Sequence, residues 1–424
     1  MKDSLKNIRP DSFSGMIFGL EGLRGGSVLL NGPTGCKFYH SATVDGNTLR
    51  ALSFDPLAYP EDFYFGQGAV PCTFLDSHDY VYGAKDKLIQ LLTEVKSRNH
   101  DFVVVINSPG AALIGDDLKG ILDSHKPSKI AFAIDSPGFS EDYGKGLQRG
   151  LIHLLEELEI PTGRQKTDQV NLLGFHLFQK HSRGNLRELT RLLELGGVKV
   201  GTAFYECDIE GLKHCGESKL NIVLCPETGL ELAKYCKKRF GTEYMVPKTG
   251  QPLGFEGEDF FRELSEWIPL DLSPILEEFH YGRGRAYIFL SRYSSILGKP
   301  KGGTYRIVGA PSFVYPALKF FTNYLGMIPL EVILEGEGSY FVKEIKDFLE
   351  PFEAYGPQKD GYLAQMVLGD GNEIASSVQY EEYLFGIEIA EPSMGYLDVM
   401  EKTFYGPKGA LYLLEQVLNG LKFS

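Results

Sequence analysis

FVVVINSPG (102–110) and KIAFAIDSPGFS (129–140) decide the fold. Each is a short β-branched or apolar run that stops at Ser-Pro-Gly, the pattern of a strand buried on both faces and ended by turn formers. A helix-compatible stretch, Tyr143 to Leu158, follows the second. The same rhythm continues outward. Strands are predicted at QVNLLGF (169–175), VKVGTAF (198–204), KLNIVLC (219–225), AYIFL (286–290), TYRIVGA (304–310) and LEVILE (330–335). Helices are predicted at NLRELTRLLELGG (185–197), TGLELAKYCKKRFG (228–241) and PALKFFTNYLG (316–326), each closing on glycine. Strands alternating with helices along the whole chain predict an α/β protein with parallel sheets flanked by helices on both faces. Composition shifts near TGRQKT (162–167) and between about Leu253 and Gly284 divide it into three Rossmann-like domains, 1–166, 167–275 and 276–424, around a central cleft. Ligands of such sheets gather at the carboxyl ends of the strands.

The 424 residues, 43% of them hydrophobic, are enough for several cores. Lys and Arg number 43 against 56 Asp and Glu, a net charge of −13. That balance argues against nucleic acid or an anionic membrane as the main partner, because both call for a basic face. No apolar run reaches the roughly 18–20 residues of a membrane span. The N-terminal MKDSLKNIRPDSFSG lacks the apolar centre of a signal peptide. Six cysteines are too sparse for a disulfide scaffold and read as reduced thiols, some of them metal ligands, in a cytoplasmic protein.

Several common chemistries are missing: there is no Walker A loop, GxSxG, HExxH or CxxC. LRGGS (23–27) is a weak nucleotide loop because it follows a helix-like segment. The first third holds more specific signals. NGPTGCKFYHS (31–41) sets Cys36 on a Gly-Pro-x-Gly turn after a strand, which suits an iron–sulfur ligand. AVPCTFLDSHDYVYGAKDKLIQLL (69–92) presents Cys72 before a polar turn and a helix. VVVINSPGAALIGDDL (103–118) ends a strand at a loop with Asp116 and Asp117, which read as capping acids of a helix opened between Ser108 and Asp117. The plain alternative for Cys36 and Cys72 is a pair of buried inert thiols. His78 reads as a polar residue at a helix start, with proton donation beside the loop as the alternative; His214–Cys215 is too short a pair to specify a metal.

Taken in order, these segments resemble component 1 of nitrogenase and its relatives, which include tetrapyrrole reductases and cofactor-assembly scaffolds. GPTGC is similar to the family's His-Gly-Pro-x-Gly-Cys, with Asn31 in place of the His. DYVYGAKDKL (79–88) and ALIGDDL (112–118) resemble its next two motifs. KLNIVLCPETGLELAKYCKKRFG resembles the middle-domain strand and helix. DGNEIASSVQYEEYLFGIEIAEPS (370–393) and FYGPKGALYLLEQVLNG (404–420) resemble the third domain and its closing helix.

The resemblance implies an interface cluster, and the departures restrict it. Of three family cysteine positions, the first falls on Asp11, the second on Cys36 and the third on Pro109. An eight-iron cluster needing six thiolates is therefore not expected. A [4Fe–4S] cluster needs four ligands. Cys36 and Cys72 from each copy of a homodimer would supply them, or Asp11 would contribute, or a cysteine-richer related subunit would complete a heterodimer. Cys225, ending KLNIVLC, falls where nitrogenase anchors its active-site cofactor and is a further metal-ligand candidate. The second anchor falls at Ser393, which counts against a second metallocofactor. The implied function is the catalytic component of an ATP-dependent reductase. A separate ATP-hydrolysing iron protein would supply electrons, and a tetrapyrrole or other small unsaturated molecule would be reduced. A non-catalytic scaffold for cluster assembly is the alternative reading, and a metal-free small-molecule binding protein the second.

Overall fold

The computed structural model describes residues 10–47, 69–135, 138, 141–336, 340–357, 364–371, 374–375, 383–389 and 398–422. Helix α1 (Ser12–Glu21) leads into β1 (Gly26–Asn31), and α2 (Thr34–Asn47) follows. Then come α3 (Asp79–Tyr82), α4 (Lys85–Lys96), β2 (Phe102–Asn107), α5 (Pro109–Ala112), α6 (Leu118–His125), β3 (Ile130–Ile134) and α7 (Tyr143–Glu157). The three strands form one parallel sheet in the order β1-β2-β3. Alternation along them explains helices on both faces. Leu29, Val103 and Val105 pack with Leu88 and Leu92 of α4 and Ile121 and Leu122 of α6. Val28, Leu30, Val104 and Ile106 turn the other way, into a core shared with α1 and α7.

The second sheet comes from β4 (Thr167–Leu173), α8 (Ser182–Leu195), β5 (Lys199–Ala203), α9 (Ile209–Lys213), β6 (Ser218–Val223), α10 (Pro226–Phe240) and β7 (Glu243–Met245). Its strands run parallel in the order β5-β4-β6-β7. Helices α11 (Glu258–Ser265) and α12 (Leu272–Leu297) connect it to the third sheet. That sheet contains β8 (Thr304–Gly309), β9 (Ile328–Leu334), β10 (Met366–Gly369) and β11 (Phe385–Glu388), parallel in the order β11-β10-β8-β9. Helices α13 (Pro311–Leu318), α14 (Val342–Leu349) and α15 (Gly406–Lys422) accompany it. Three Rossmann-like units with parallel sheets result, and one large apolar cluster runs through all of them, beside the separate layer under α4 and α6.

Two expectations change. AYIFL (286–290) is not a strand but the middle of α12, whose N-cap Asp271 accepts from the Ser273 amide and whose end is Gly298 in the left-handed region. The run has strand composition, yet the chain buries Ile275, Phe279, Gly282 and Ala286 at helical spacing and leaves Tyr287, Ile288 and Phe289 exposed. The boundary expected between 275 and 276 falls inside this helix. The helix expected over 316–326 begins earlier, with Pro311 at its first turn, and continues past Leu318 as a π-helical turn, Lys319–Tyr324. No helix among the described residues is long and apolar enough to cross a membrane.

Helices α1 and α7 approach at backbone distance. Built Cβ atoms at Gly15 and Gly146 would lie 2.1 Å from the Tyr143 carbonyl oxygen and 1.9 Å from that of Ser12. Helix α7 reaches the middle unit as well, where the Gln148 side-chain amide donates to the Glu227 carbonyl at 3.1 Å.

Candidate functional site

The carboxyl ends of the first sheet collect most of the predicted residues. Asn31 ends β1 and its amide donates to Asn107 Oδ1 (2.8 Å) at the end of β2. The Asn107 amide in turn donates to Asp135, just past β3. Asn31 Oδ1 accepts from the Thr73 hydroxyl at 2.9 Å. Residues 71–75 run alongside β1 as an extra edge: Leu30 N–H donates to Pro71 O (2.8 Å), Thr73 N–H to Leu30 O (3.1 Å) and Leu75 N–H to Gly32 O (2.9 Å). Asn31, where the family resemblance places a His, thus binds three chain segments together.

This edge delivers Cys72 to the turn that carries Cys36. The buried Cys72 thiol donates to Gly32 O at 3.0 Å, and its sulfur accepts from Phe74 N–H at 3.3 Å. Burial pushes the Cys72 thiol up to about 11, while the Phe74 amide and the Lys37 ammonium oppose the rise and Cys36 adds to it. Cys36 sits half-buried in the first turn of α2. Its thiol is raised by burial and then by the negative charge of Asp11. Asp11 is the N-cap of α1 and accepts from the Ser14 amide at 3.0 Å. The structure therefore brings Asp11, Cys36 and Cys72 from three segments to one end of the sheet, with Cys36 within electrostatic reach of both Asp11 and Cys72.

Two neighbours were invisible as site residues in the sequence. His40, one turn after Cys36, donates from Nδ1 to Cys36 O (2.6 Å), so its Nε2 accepts from the Ser14 hydroxyl (3.1 Å). Burial among Phe13, Phe18 and Tyr39 holds it down to about 4, a neutral ring. Lys37 is fully buried, and its ammonium donates to Ser41 Oγ (2.6 Å) and Ala69 O (3.0 Å), fixing the segment that leads to Cys72. The only sequence signal for both was position, on the helix whose first turn carries Cys36.

The surrounding surface is apolar. Helices α2 and α3 and the segments beside them expose Phe38, Tyr39, Phe74, Tyr80, Val81 (71%), Tyr82 (76%) and Leu113 (89%). Large apolar side chains are thus exposed on the segments that carry Cys36 and Cys72. Among the described residues no group of three or more His, Cys, Asp and Glu is arranged to hold a metal ion within one chain.

The other predicted residues are placed elsewhere. Pro109 opens α5, whose N-cap is Ser108. Asp117 caps α6 by accepting from Gly120 N–H (3.0 Å), and Asp116 accepts from Ala84 N–H (2.9 Å) ahead of α4, so both acids serve helix starts and the expected single helix is two. His78 precedes α3 and packs on the Tyr82 ring. Ser393 lies outside the described residues. Cys225 caps α10 at the end of β6. Its buried thiol donates to Glu227 Oε2 (3.0 Å), and the Ser312 hydroxyl approaches the sulfur at 3.5 Å. Gln251 bridges onward, donating to Ser312 Oγ (3.3 Å) and accepting from Tyr405 (2.9 Å). Burial and the Glu227 charge raise this thiol well above its ordinary value. Here the second and third units meet around a sulfur enclosed by protein groups. His214 pairs with Glu217 (2.9 Å) rather than with Cys215.

Three Rossmann-like units with parallel sheets define a fold class, and comparison places the chain in a family within it. The model of the nitrogenase component 1 type oxidoreductases matches residues 12–422, and the chain belongs to that family. It is 25% identical over 231 residues to the B subunit of the light-independent protochlorophyllide reductase of Staurastrum punctulatum, a match covering 50% of this chain and 44% of that protein. It is 26% identical over 222 residues to the nitrogenase iron-molybdenum cofactor biosynthesis protein NifE of Clostridium pasteurianum, covering 51% and 45%. The match thus spans less than half the length of these curated relatives. In fold, the chain superposes on nitrogenase Cp1 with a TM-score of 0.74 at 18% identity, covering 98% of this chain and 93% of that one.

Proposed function

We propose that the chain is the electron-accepting, catalytic component of a nitrogenase-like, ATP-dependent reductase. In this reading a [4Fe–4S] cluster is held where two subunits meet, with Cys36 and Cys72 as its ligands and Asp11 as a third donor or a close neighbour. The observation that carries the proposal is the convergence of these three residues beneath an exposed apolar patch. The donor set fits the group: two thiols and a carboxylate from one chain fall short of four thiolates, and a second copy or a related subunit completes them. Burial favours the neutral thiols in the free chain, and iron would replace those protons. When bound, such a cluster supplies single-electron transfer.

The chain's own residues have separate tasks. Phe74 N–H stays aimed at the Cys72 sulfur, and such hydrogen bonds to ligand sulfur tune potential. Lys37 places positive charge beside the same sulfur and anchors its strand. His40, neutral and fixed between Ser14 and the Cys36 carbonyl, sets the orientation of the helix turn bearing Cys36. The apolar rim excludes water from the joint between subunits. The electron donor is a separate ATP-hydrolysing iron protein, and the substrate a small unsaturated or tetrapyrrole-type molecule; the compartment is the cytoplasm.

The test is anaerobic purification with iron and sulfide analysis and EPR of the reduced protein. About four irons per dimer are expected, one shared cluster, and Cys36→Ser should abolish the signal. Metal-free protein, or iron content indifferent to Cys36→Ser, overturns the proposal. Turnover of a small molecule with iron protein and ATP separates a reductase from a scaffold, whose cluster would instead pass to an acceptor protein.

A further inference from the structure

The carboxyl ends of β6 and β8 are joined by a hydrogen-bond chain in which every donor points the same way. The Tyr405 hydroxyl donates to Gln251 Oε1 (2.9 Å) and the Gln251 amide to Ser312 Oγ (3.3 Å). The Ser312 hydroxyl then donates to Cys225 Sγ (3.5 Å) and the Cys225 thiol to Glu227 Oε2 (3.0 Å). The chain ends on a carboxylate. A second donor reaches it from the third unit, where Ser312 N–H, in the first turn of α13, lies 3.2 Å from Glu227 Oε1. Glu227 itself stands in the first turn of α10. Two helix starts and a row of aligned dipoles thus favour negative charge at one place.

Everything that Glu227 accepts from is neutral. Tyr405, Gln251, Ser312 and Cys225 are buried, and only Glu227, at the end of the row, is half-buried. Its carboxylate has no ion-pair partner among the described residues. The buried Glu388 and Glu188, by contrast, are each met by cations of the chain. A carboxylate offers about four lone-pair sites, and the two oxygens of Glu227 each accept one hydrogen bond here.

We infer that Glu227 is the specificity-determining residue of this junction: it receives a cationic nitrogen group of a ligand, an ammonium or amidinium, and turns away carboxylates and phosphates. The inference rests on the proposed reading in which a small molecule is the substrate, and it adds the charge which that molecule presents between the second and third units. A free anion finds no place there, because the helix starts that would bind one already hold the Glu227 side chain. The missing countercharge is what the ligand brings.

The test is thermal melting of the full chain in benzamidinium chloride or sodium acetate at matched ionic strength and pH. Benzamidinium should raise the melting temperature of the native chain saturably, and acetate should not. Glu227→Gln keeps the size of the side chain and removes its charge, and should weaken benzamidinium binding by about tenfold or more. Glu227→Ala frees both helix starts and should gain a stabilisation by acetate that the native chain lacks; where that variant does not fold, Glu227→Gln decides alone. Binding should be unchanged in Cys36→Ser, so that failure of the cluster proposal and failure of this inference are read separately. Benzamidinium without effect on the native chain, equal stabilisation by acetate, or undiminished binding in Glu227→Gln would each overturn the inference.

Discussion

The close approach of α1 and α7 can be tested by adding one methyl group. Gly15→Ala would put Cβ 2.1 Å from the Tyr143 carbonyl oxygen and 2.8 Å from the Leu147 amide nitrogen. Both are backbone atoms, so no rotamer relieves the clash. To reach ordinary contact the helices must separate by about 1.2 Å or more. The seam cannot give at one point, because Gly19, Gly146 and Gly150 continue the close approach. Overpacking of this kind costs about 1–3 kcal/mol, and the rigid partners put Gly15→Ala at the upper end. For a unit of this size that is roughly 6–12 °C in melting temperature. Gly35→Ala, in α2, is the control: its Cβ meets nothing within 4 Å. There the change should be neutral or stabilising by up to about 1 kcal/mol. Melting followed by circular dichroism, with hydrogen exchange read at residues 12–21 and 143–157, would separate the two. Asp11 caps α1, and its charge raises the Cys36 thiol. Displacing α1 should therefore also speed alkylation of Cys36. A Gly15→Ala protein that melts and exchanges like the native chain would refute the reasoning, as would a Gly35→Ala protein equally destabilised.

Three further outcomes are expected. Burial lowers His40 from 6.5 to about 4, so the unfolded chain takes up its proton first. Its contribution to stability is complete above pH 6.5 and falls as pH drops toward 4, by about 3 kcal/mol in all; melting across that range should flatten in His40→Gln, and an unchanged slope counts against the assignment. Lys180 is buried between Glu388 and Asp398, and Lys180→Met should cost about 3–5 kcal/mol because the buried Glu388 carboxylate loses this cation, while Asp398 keeps Lys402. Lys408→Met, which removes a largely exposed partner of Glu188, should cost under about 1 kcal/mol; similar losses in the two would contradict the burial argument. Cys225→Ser should leave iron content unaltered, since its sulfur is already enclosed by Glu227 and Ser312; loss of iron would make that residue a ligand.

How far the sequence foretells this fold depends on which force dominates locally. Buried parallel strands such as FVVVI announce themselves because both faces are apolar and turn formers end them. AYIFL misleads for the same reason: composition favours a strand, but a 26-residue helix with caps at Asp271 and Gly298 incorporates it. Only two of its residues, Ala286 and Leu290, turn inward, so the apolar signal came from side chains outside the core. Asp116 and Asp117 read correctly as capping acids because capping is local. That they serve two different helices is not local, and a spacing argument has no access to it.

The candidate site divides along the same line. Cys36 is legible because its turn chemistry is contiguous, whereas its relation to Cys72 requires residues 71–75 to extend the sheet beside β1, a pairing made by backbone groups with no sequence signature. Asp11 is harder still. Its place depends on α1 lying against α7, and thus on glycines some 130 residues apart that a sequence reader would take for flexibility. What results is an arrangement that one chain leaves incomplete. Cys72 is locked by Gly32 and Phe74, Cys36 is held by its helix turn, and Asp11 is fixed as a cap, so none of the three can move far to enclose a metal alone. If the proposed cluster forms, this half-set, with Tyr82, Val81 and Leu113 exposed on the same unit, would be completed when another surface covers it. The same contact would bury the apolar rim and bring the missing donors, which ties metal binding to subunit assembly. Iron content should therefore fall in Val81→Asp or Tyr82→Asp even though neither residue can bind iron through sulfur, and full iron loading in a monomeric variant would break that link.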